Sequence, residues 1–254
     1  MADKLIEMRS VYAGYGNAVI LRDVDLDIYS DDFIGVIGPN GGGKTTLIKT
    51  ILGLIKPRKG KVSYMFDRDR HAIGYLPQLH KFDPRFPIKV CEVVLSGLYD
   101  NRLRPSIYRR KDRMKAMELL ESMNIQDLAK MPIGELSGGQ MQRTFLCRAI
   151  ISDPILLILD EPNTYVDNKF EHDLYDRLKD LNKRMAILLV SHDIGTISYY
   201  IKSIACVNHK VHYHGSGKIT QDQLAAYDCP IQIITHGAVP HTVLKTHQDE
   251  LDTE

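Results

Sequence analysis

The sequence predicts an α/β protein built on a mainly parallel sheet with helices on both faces, and three observations predict it. Residues 155–159 (Ile-Leu-Leu-Ile-Leu) and 186–190 (Ala-Ile-Leu-Leu-Val) are apolar at every position, as strands covered on both faces must be. A charged helical stretch, residues 169–181, separates them, and strands alternating with helices are the pattern of a parallel sheet. Near the start of the chain a third short apolar run, residues 33–37, enters a glycine-rich turn that leads into a helix.

Taken in order, residues 5–11 and 21–28 read as strands. The second alternates, with Val24, Leu26 and Ile28 on one face. Residues 45–54 have helical character, and Lys56-Pro57 is expected to end that helix, because proline cannot continue one. The stretch from about residue 80 to 105 is rich in proline and turn residues. A helix is predicted over 111–123, with Met114, Met117, Leu120 and Met123 as its apolar side. Another is predicted over 140–151, with Met141, Phe145, Ala149 and Ile150 together. The helical region around residues 83–150 is thus an insertion in the α/β core.

Composition bounds the function. A chain of 254 residues with 44% hydrophobic and 26% charged residues can bury a substantial core. Its net charge of +1 offers no global attraction to nucleic acid or to an anionic membrane. The basic cluster Arg102, Arg104, Arg109, Arg110, Lys111 and Arg113 has no interleaved aromatic stacking platform, so it reads as a solvated helical face, which could lie near lipid headgroups. No run approaches the roughly 18–20 apolar residues of a membrane span. Charges occupy the N-terminal positions where a signal peptide has its apolar core, so a cytoplasmic location is expected. Four widely separated cysteines, Cys91, Cys147, Cys206 and Cys229, make neither a zinc-ribbon pattern nor a disulfide framework.

Gly38-Pro39-Asn40-Gly41-Gly42-Gly43-Lys44-Thr45 fits G-x-x-x-x-G-K-[ST] between a strand and a helix, the context in which that pattern cradles phosphates. Glycines let backbone N–H groups converge on phosphate oxygens, and the helix presents its positive N-terminal end. Lys44 is suited to the β- and γ-phosphates and the Thr45 hydroxyl to Mg²⁺. Gly38, Asn40, Gly41, Gly43, Lys44, Thr45 and Thr46 are the candidate nucleotide-binding residues.

The strand 155–159 ends in Asp160-Glu161, at the carboxyl edge of the sheet where phosphate loops also lie. One carboxylate can hold Mg²⁺ and the next can polarise an attacking water. The strand 186–190 likewise ends in Ser191-His192-Asp193. From the residues alone, His192 is equally a structural strand-end histidine or a γ-phosphate contact.

Leu136-Ser137-Gly138-Gly139-Gln140 makes a second helix start with exposed backbone donors and a serine N-cap. A second anion-binding helix start in a chain that already has one suggests service to a nucleotide on another copy. Here the sequence resembles the ATPase subunits of ABC transporters. The resemblance covers essentially residues 1–225 and rests on an ordered set: Tyr15, residues 38–46, Gln78, residues 136–140, residues 155–161, Asp167 and His192. It implies an α/β P-loop NTPase (RecA-like) core with an N-terminal antiparallel β subdomain and an inserted helical subdomain. It also implies that Tyr15 stacks on adenine, that Gln78 contacts the metal and water, and that Asp160 supports Mg²⁺. Glu161 would be the general base and His192 a γ-phosphate contact. Ser137 and Gly139 would touch ATP held by the opposite copy in a homodimer closed around two MgATP, and Asp167 would cross that interface. Tyr165 stands where such proteins often have a small residue.

The texture of residues 73–97 resembles the subset serving zinc, manganese and sometimes iron importers. This implies a separate permease at the cytoplasmic face of the membrane and, indirectly, an extracytoplasmic substrate-binding protein. The alternatives are another cargo, such as a lipid or cell-envelope component, or a regulator without transport. His209, His212 and His214, with His236, His241 and His247 in the tail 226–254, read first as a solvated strand and a polar tail. The second reading is a zinc-binding tail that damps the ATPase.

Overall fold

The computed structural model describes residues 2–67, 72–78, 87–98, 108–162, 168–192, 194–215, 231–235 and 240–244. They form two compact units: residues 1–5, 29–32 and 64–189, and residues 6–28, 33–63 and 190–254.

In the second unit a three-stranded sheet has the order β2-β1-β4, from β1 (Lys4–Tyr15), β2 (Ala18–Tyr29) and β4 (Lys59–Tyr64). The alternation predicted for β2 holds at Val24, Leu26 and Ile28, all buried, yet Leu21 is buried as well. Asp23, with φ of 54°, resets the parity between them. Ser10 (φ 45°) does the same in β1, between buried Met8 and Val11. The fully buried β3 (Phe33–Ile37) pairs in parallel with β8 (Ser203–Asn208), from Ile34↔Ser203 to Ile37↔Cys206. β8 turns back antiparallel into β9 (Lys210–His214).

Helix α1 (Lys44–Ile51) ends earlier than Pro57 would require. Gly53 takes φ of 73°, Leu54 N–H donates to Lys49 O and Gly53 N–H to Thr50 O, a left-handed glycine stop. Farther on, β10 (Ile231–Thr235) and β11 (Pro240–Leu244) pair as an antiparallel hairpin, and β11 lies against α6 (Ile194–Ile197).

In the first unit β5 (Ile73–Leu76) runs parallel to β6 (Leu156–Asp160), from Ile73↔Leu156 to Leu76↔Leu159. β7 (Ala186–Val190) follows β6 in the strand order. All five residues of β6 and all five of β7 are buried, as a sheet covered on both faces demands. Between them α5 (Asn168–Leu181) buries Leu174, Tyr175 and Leu178.

Three helices of this unit pack together: α2 (Val90–Leu95), α3 (Arg110–Ser122) and α4 (Gly138–Ile150). On α3 the predicted apolar side is wrong in part. Met114 and Met117 are exposed, while Ala116, Leu120 and the following Met123 are buried. A spacing of three drifts around a 3.6-residue helix, whereas 116, 120 and 123 stay on one face. On α4 Ala149 and Ile150 are buried as predicted, but Leu146 and Cys147 complete the face in place of Met141 and Phe145.

Candidate functional site

The glycine-rich loop lies in the second unit, where the backbone of β8 and its turn hold it. His209 N–H donates to Gly42 O (2.8 Å), Arg22 N–H donates to His209 O (2.7 Å), and His209 Nδ1 lies 3.0 Å from Ile20 O. The approach is close enough to dictate glycine. Gly38 has φ of 150°, and a Cβ there would sit 2.0 Å from Val207 O. Gly42, which the motif reading left out, meets the same carbonyl at 2.7 Å. The run of three glycines was the signal that could have included it.

Lys44 is 6% exposed, and its Nζ donates to Gly38 O (2.9 Å) and Pro39 O (3.0 Å), arching the loop over the ammonium. Asn40, Gly41 and Thr45 are exposed, whereas Thr46 is buried. Helix α1 has no side-chain cap on Gly43 and no acidic residue in its first turn. No capping side chain and no first-turn carboxylate therefore competes for its N-terminal N–H groups.

Tyr15, at the end of β1, is half exposed, with Lys49 Nζ 5.5 Å from its ring centroid. Ser191 N–H donates to Val36 O at 3.2 Å, which brings the start of the His192 segment beside β3, the strand that feeds the loop. His192 is exposed.

The carboxylates lie in the first unit. Asp160, the last residue of β6, is 3% exposed. Glu161 follows with φ of 51°, a left-handed conformation that is strained for a residue with a Cβ. Gln78 Nε2 donates to Glu161 Oε2 at 2.5 Å. The parallel register explains the meeting: Leu76 pairs with Leu159, so the chains leave the sheet side by side. The sequence named both residues, and the structure joins them.

In the same unit Ser137 caps α4 reciprocally. Gln140 N–H donates to Ser137 Oγ (3.3 Å), and Ser137 N–H to Gln140 Oε1 (2.9 Å). Ser137 is exposed and Gly139 has open space above its Cα. Asp167, Tyr165, His236 and His247 lie outside the described residues, and His241 falls within β11.

His212 and His214 are half-buried and hold their protons less readily than free imidazole. Burial is the main cause for both, followed by Lys210 for His212 and by His212 for His214. Burial pushes the Cys147 thiol up to about 12, which leaves it an inert core group. Among the described residues no group of three or more His, Cys, Asp or Glu could hold a metal ion.

The family model described as ABC transporter matches residues 21–164, the span that holds the glycine loop, Gln78, the capped helix start and the carboxylate pair. The chain belongs to the ABC transporter family. Among its relatives is a "probable metal transport system ATP-binding protein" of Thermotoga maritima, 38% identical, with 84% of this chain and 85% of that protein covered. The zinc uptake system ATP-binding protein ZurA of Listeria monocytogenes is 36% identical, covering 87% of this chain and 90% of its own length. Among solved structures, a dimeric bacterial ABC transporter cassette superposes with a TM-score of 0.72 at 25% identity, over 85% of this chain and 100% of that one. The ABC subunit is an ATPase of the P-loop α/β fold. No helix among its described residues is long and apolar enough to cross a membrane.

Proposed function

We propose that this ABC ATPase powers import of a transition-metal ion, zinc foremost, through separate membrane subunits. The observation that carries the cargo is its likeness, over more than four-fifths of the chain, to ATP-binding proteins of metal and zinc uptake systems. The Gln78–Glu161 hydrogen bond carries the chemistry. A carboxylate held by a neighbouring amide at the carboxyl end of a sheet is the arrangement a base needs to take a proton from water.

In this reading the uncapped N-terminus of α1, the loop amides and Lys44 hold the phosphates, and the exposed ring of Tyr15 receives the adenine. Thr45, Gln78 and Asp160 supply hydroxyl, amide and carboxylate oxygens, a donor set that suits Mg²⁺. The ion, when bound with ATP, spreads the charge that develops on the phosphates. Glu161 takes the proton of the attacking water, Gln78 fixes the Glu161 carboxylate, and His192 contacts the γ-phosphate.

Two copies assemble head to tail, so that Ser137 and Gly139 of one copy meet ATP held by the other. The exposure of Ser137 and the open space above Gly139 support that role. Contacts to the γ-phosphate from both copies favour closure with ATP over ADP. A permease at the cytoplasmic membrane face takes up the motion, and an extracytoplasmic substrate-binding protein delivers the metal to it.

Metal uptake tests the cargo, in cells whose only copy of the protein carries Lys44→Ala. Zinc uptake falls, the unaltered chain restores it, and manganese does not compete. Unchanged uptake of both metals, with ATPase activity verified for the unaltered protein, sinks the assignment.

A further inference from the structure

His209 stands at the turn from β8 to β9 with φ of 57°, in the left-handed region. Glycine adopts that conformation most cheaply, and a residue with a Cβ does so at a cost. Such a conformation persists where its surroundings fix it, and three hydrogen bonds fix this one. The backbone N–H donates to Gly42 O (2.8 Å), the carbonyl accepts from Arg22 N–H (2.7 Å), and Nδ1 lies 3.0 Å from Ile20 O. A carbonyl can only accept, so Nδ1 carries the hydrogen of the third bond.

These bonds follow the logic of a sheet edge. β2 is an edge strand in the order β2-β1-β4, and an edge strand has backbone groups without a strand to pair with. A residue laid parallel beside Leu21 would give its N–H to Ile20 O and take Arg22 N–H on its carbonyl. His209 makes the second bond with its backbone, but its N–H is committed to Gly42. The imidazole supplies the missing donor. One residue thus serves the edge of β2 as a strand would, while its N–H stays on the glycine-rich loop.

Both ends of this strap reach candidate nucleotide contacts. Gly43 of the loop faces the same stretch of β2, where a Cβ would meet Leu21 Cδ2 at 2.8 Å and Ile20 Cγ2 at 3.3 Å. Gly14, which precedes Tyr15, also packs on Ile20: a Cβ there would lie 2.8 Å from Ile20 N. Ile20 therefore touches the loop and the backbone that carries the Tyr15 ring, and the imidazole holds Ile20.

We propose that His209 is a positioning residue for nucleotide binding. Its imidazole fastens the β2 edge to the glycine-rich loop, so that Tyr15 and the loop meet base and phosphates in fixed register. This rests on the reading that Tyr15 receives the adenine.

The test measures binding of MgATP and of magnesium tripolyphosphate to the full-length chain by titration calorimetry, with ATPase kinetics and melting alongside. His209→Gly suits φ of 57° and removes the ring. It weakens MgATP about 3- to 10-fold, the worth of one hydrogen bond. Tripolyphosphate has no base to register, and its affinity shifts less than about twofold. KM for ATP rises with the dissociation constant, while kcat at saturation stays within about twofold and Tm within about 2 °C. His209→Asn puts an amide donor at the same δ position, tolerates the left-handed region and restores the affinity of the unaltered chain. Unchanged MgATP affinity in His209→Gly overturns the proposal, because that is what a plain turn residue predicts. Equal weakening of MgATP and tripolyphosphate overturns it too, as does a His209→Asn chain that binds no tighter than His209→Gly. Tyr15→Ala separates the two readings. If it keeps the full preference for MgATP over tripolyphosphate, the adenine assignment and this proposal fall together. If it loses that preference while His209→Gly keeps it, this proposal falls alone.

Discussion

Replacing one glycine of the phosphate loop by alanine has consequences that depend on which glycine is changed, and the structure gives their size. At Gly41 φ is 78° and nothing lies within 4 Å of where a Cβ would stand. Gly41→Ala therefore bears only the left-handed penalty, about 1–2 kcal/mol, or roughly 2–8 °C in Tm for a chain of this size. At Gly38 φ is 150° and the added Cβ lies 2.0 Å from Val207 O, a backbone atom of β8 that no rotamer change can move. The loop must lift off β8 by more than an ångström. Lifting adds strain of about 1–3 kcal/mol to the loss of the His209 N–H to Gly42 O bond, which leaves unmet groups worth a further 1–3 kcal/mol or so. Gly38→Ala is thus expected to melt at least about 4 °C below the unaltered chain. It also loses the arch over Lys44, and with two charge-assisted phosphate contacts gone, ATP binds at least about 100-fold more weakly.

Melting with and without MgATP reads both effects. At 100 times Kd, ATP stabilises the unaltered chain by about 2.7 kcal/mol, so its Tm rises. The Gly41→Ala transition rises as well, and that of Gly38→Ala does not. A Gly38→Ala protein that melts within about 2 °C of the unaltered chain and responds equally to ATP would refute the packing of the loop on β8.

Lys44→Ala removes an ammonium that donates to two loop carbonyls, and ATP affinity measured by fluorescent-nucleotide titration drops at least about tenfold; retained affinity contradicts the role. Cys147, buried and with its thiol pushed up to about 12, resists iodoacetamide in the native chain near pH 8 and reacts only on unfolding, which peptide mass mapping reports. Rapid native labelling would mean that the α3–α4 packing is wrong. His212 and His214 have folded pKa values depressed below their ordinary 6.5, so the unfolded chain binds more protons below that pH. Their contribution to stability is complete above about 6.5 and is lost as pH falls through the folded values. Tm declines on acidification, and the decline is smaller in a His212→Gln/His214→Gln variant; an identical decline in both refutes the burial of the pair.

Much of the site was legible because its chemistry is local in sequence. The glycine loop, Lys44 and Thr45 sit within eight consecutive residues. Asp160 and Glu161 end an unmistakable apolar strand, and Ser137 with Gln140 spells out a capping box. In each case short-range backbone geometry demands those residue types wherever the rest of the chain goes. Gln78 and Glu161 were named separately, but their hydrogen bond spans 83 positions and depends on strand register.

The sequence by itself determined the fold class, the order of the strands and helices named from it and the place of the glycine-rich loop between β3 and α1, since periodicity and turn chemistry act over a few residues. Only the tertiary structure decided which helical faces are covered. Leu120 and Met123 are buried as the sequence predicts, but Met114 and Met117 are exposed and Ala116 is buried on the face that packs with α2 and α4. It also decided that Gly53 stops α1 four residues before Pro57, that Val207 and His209 brace the glycine-rich loop, and that Gln142 of α4 is buried. Those outcomes depend on backbone approaching backbone across more than a hundred residues of chain, or on which neighbour reaches a surface first. No local pattern of side chains records either.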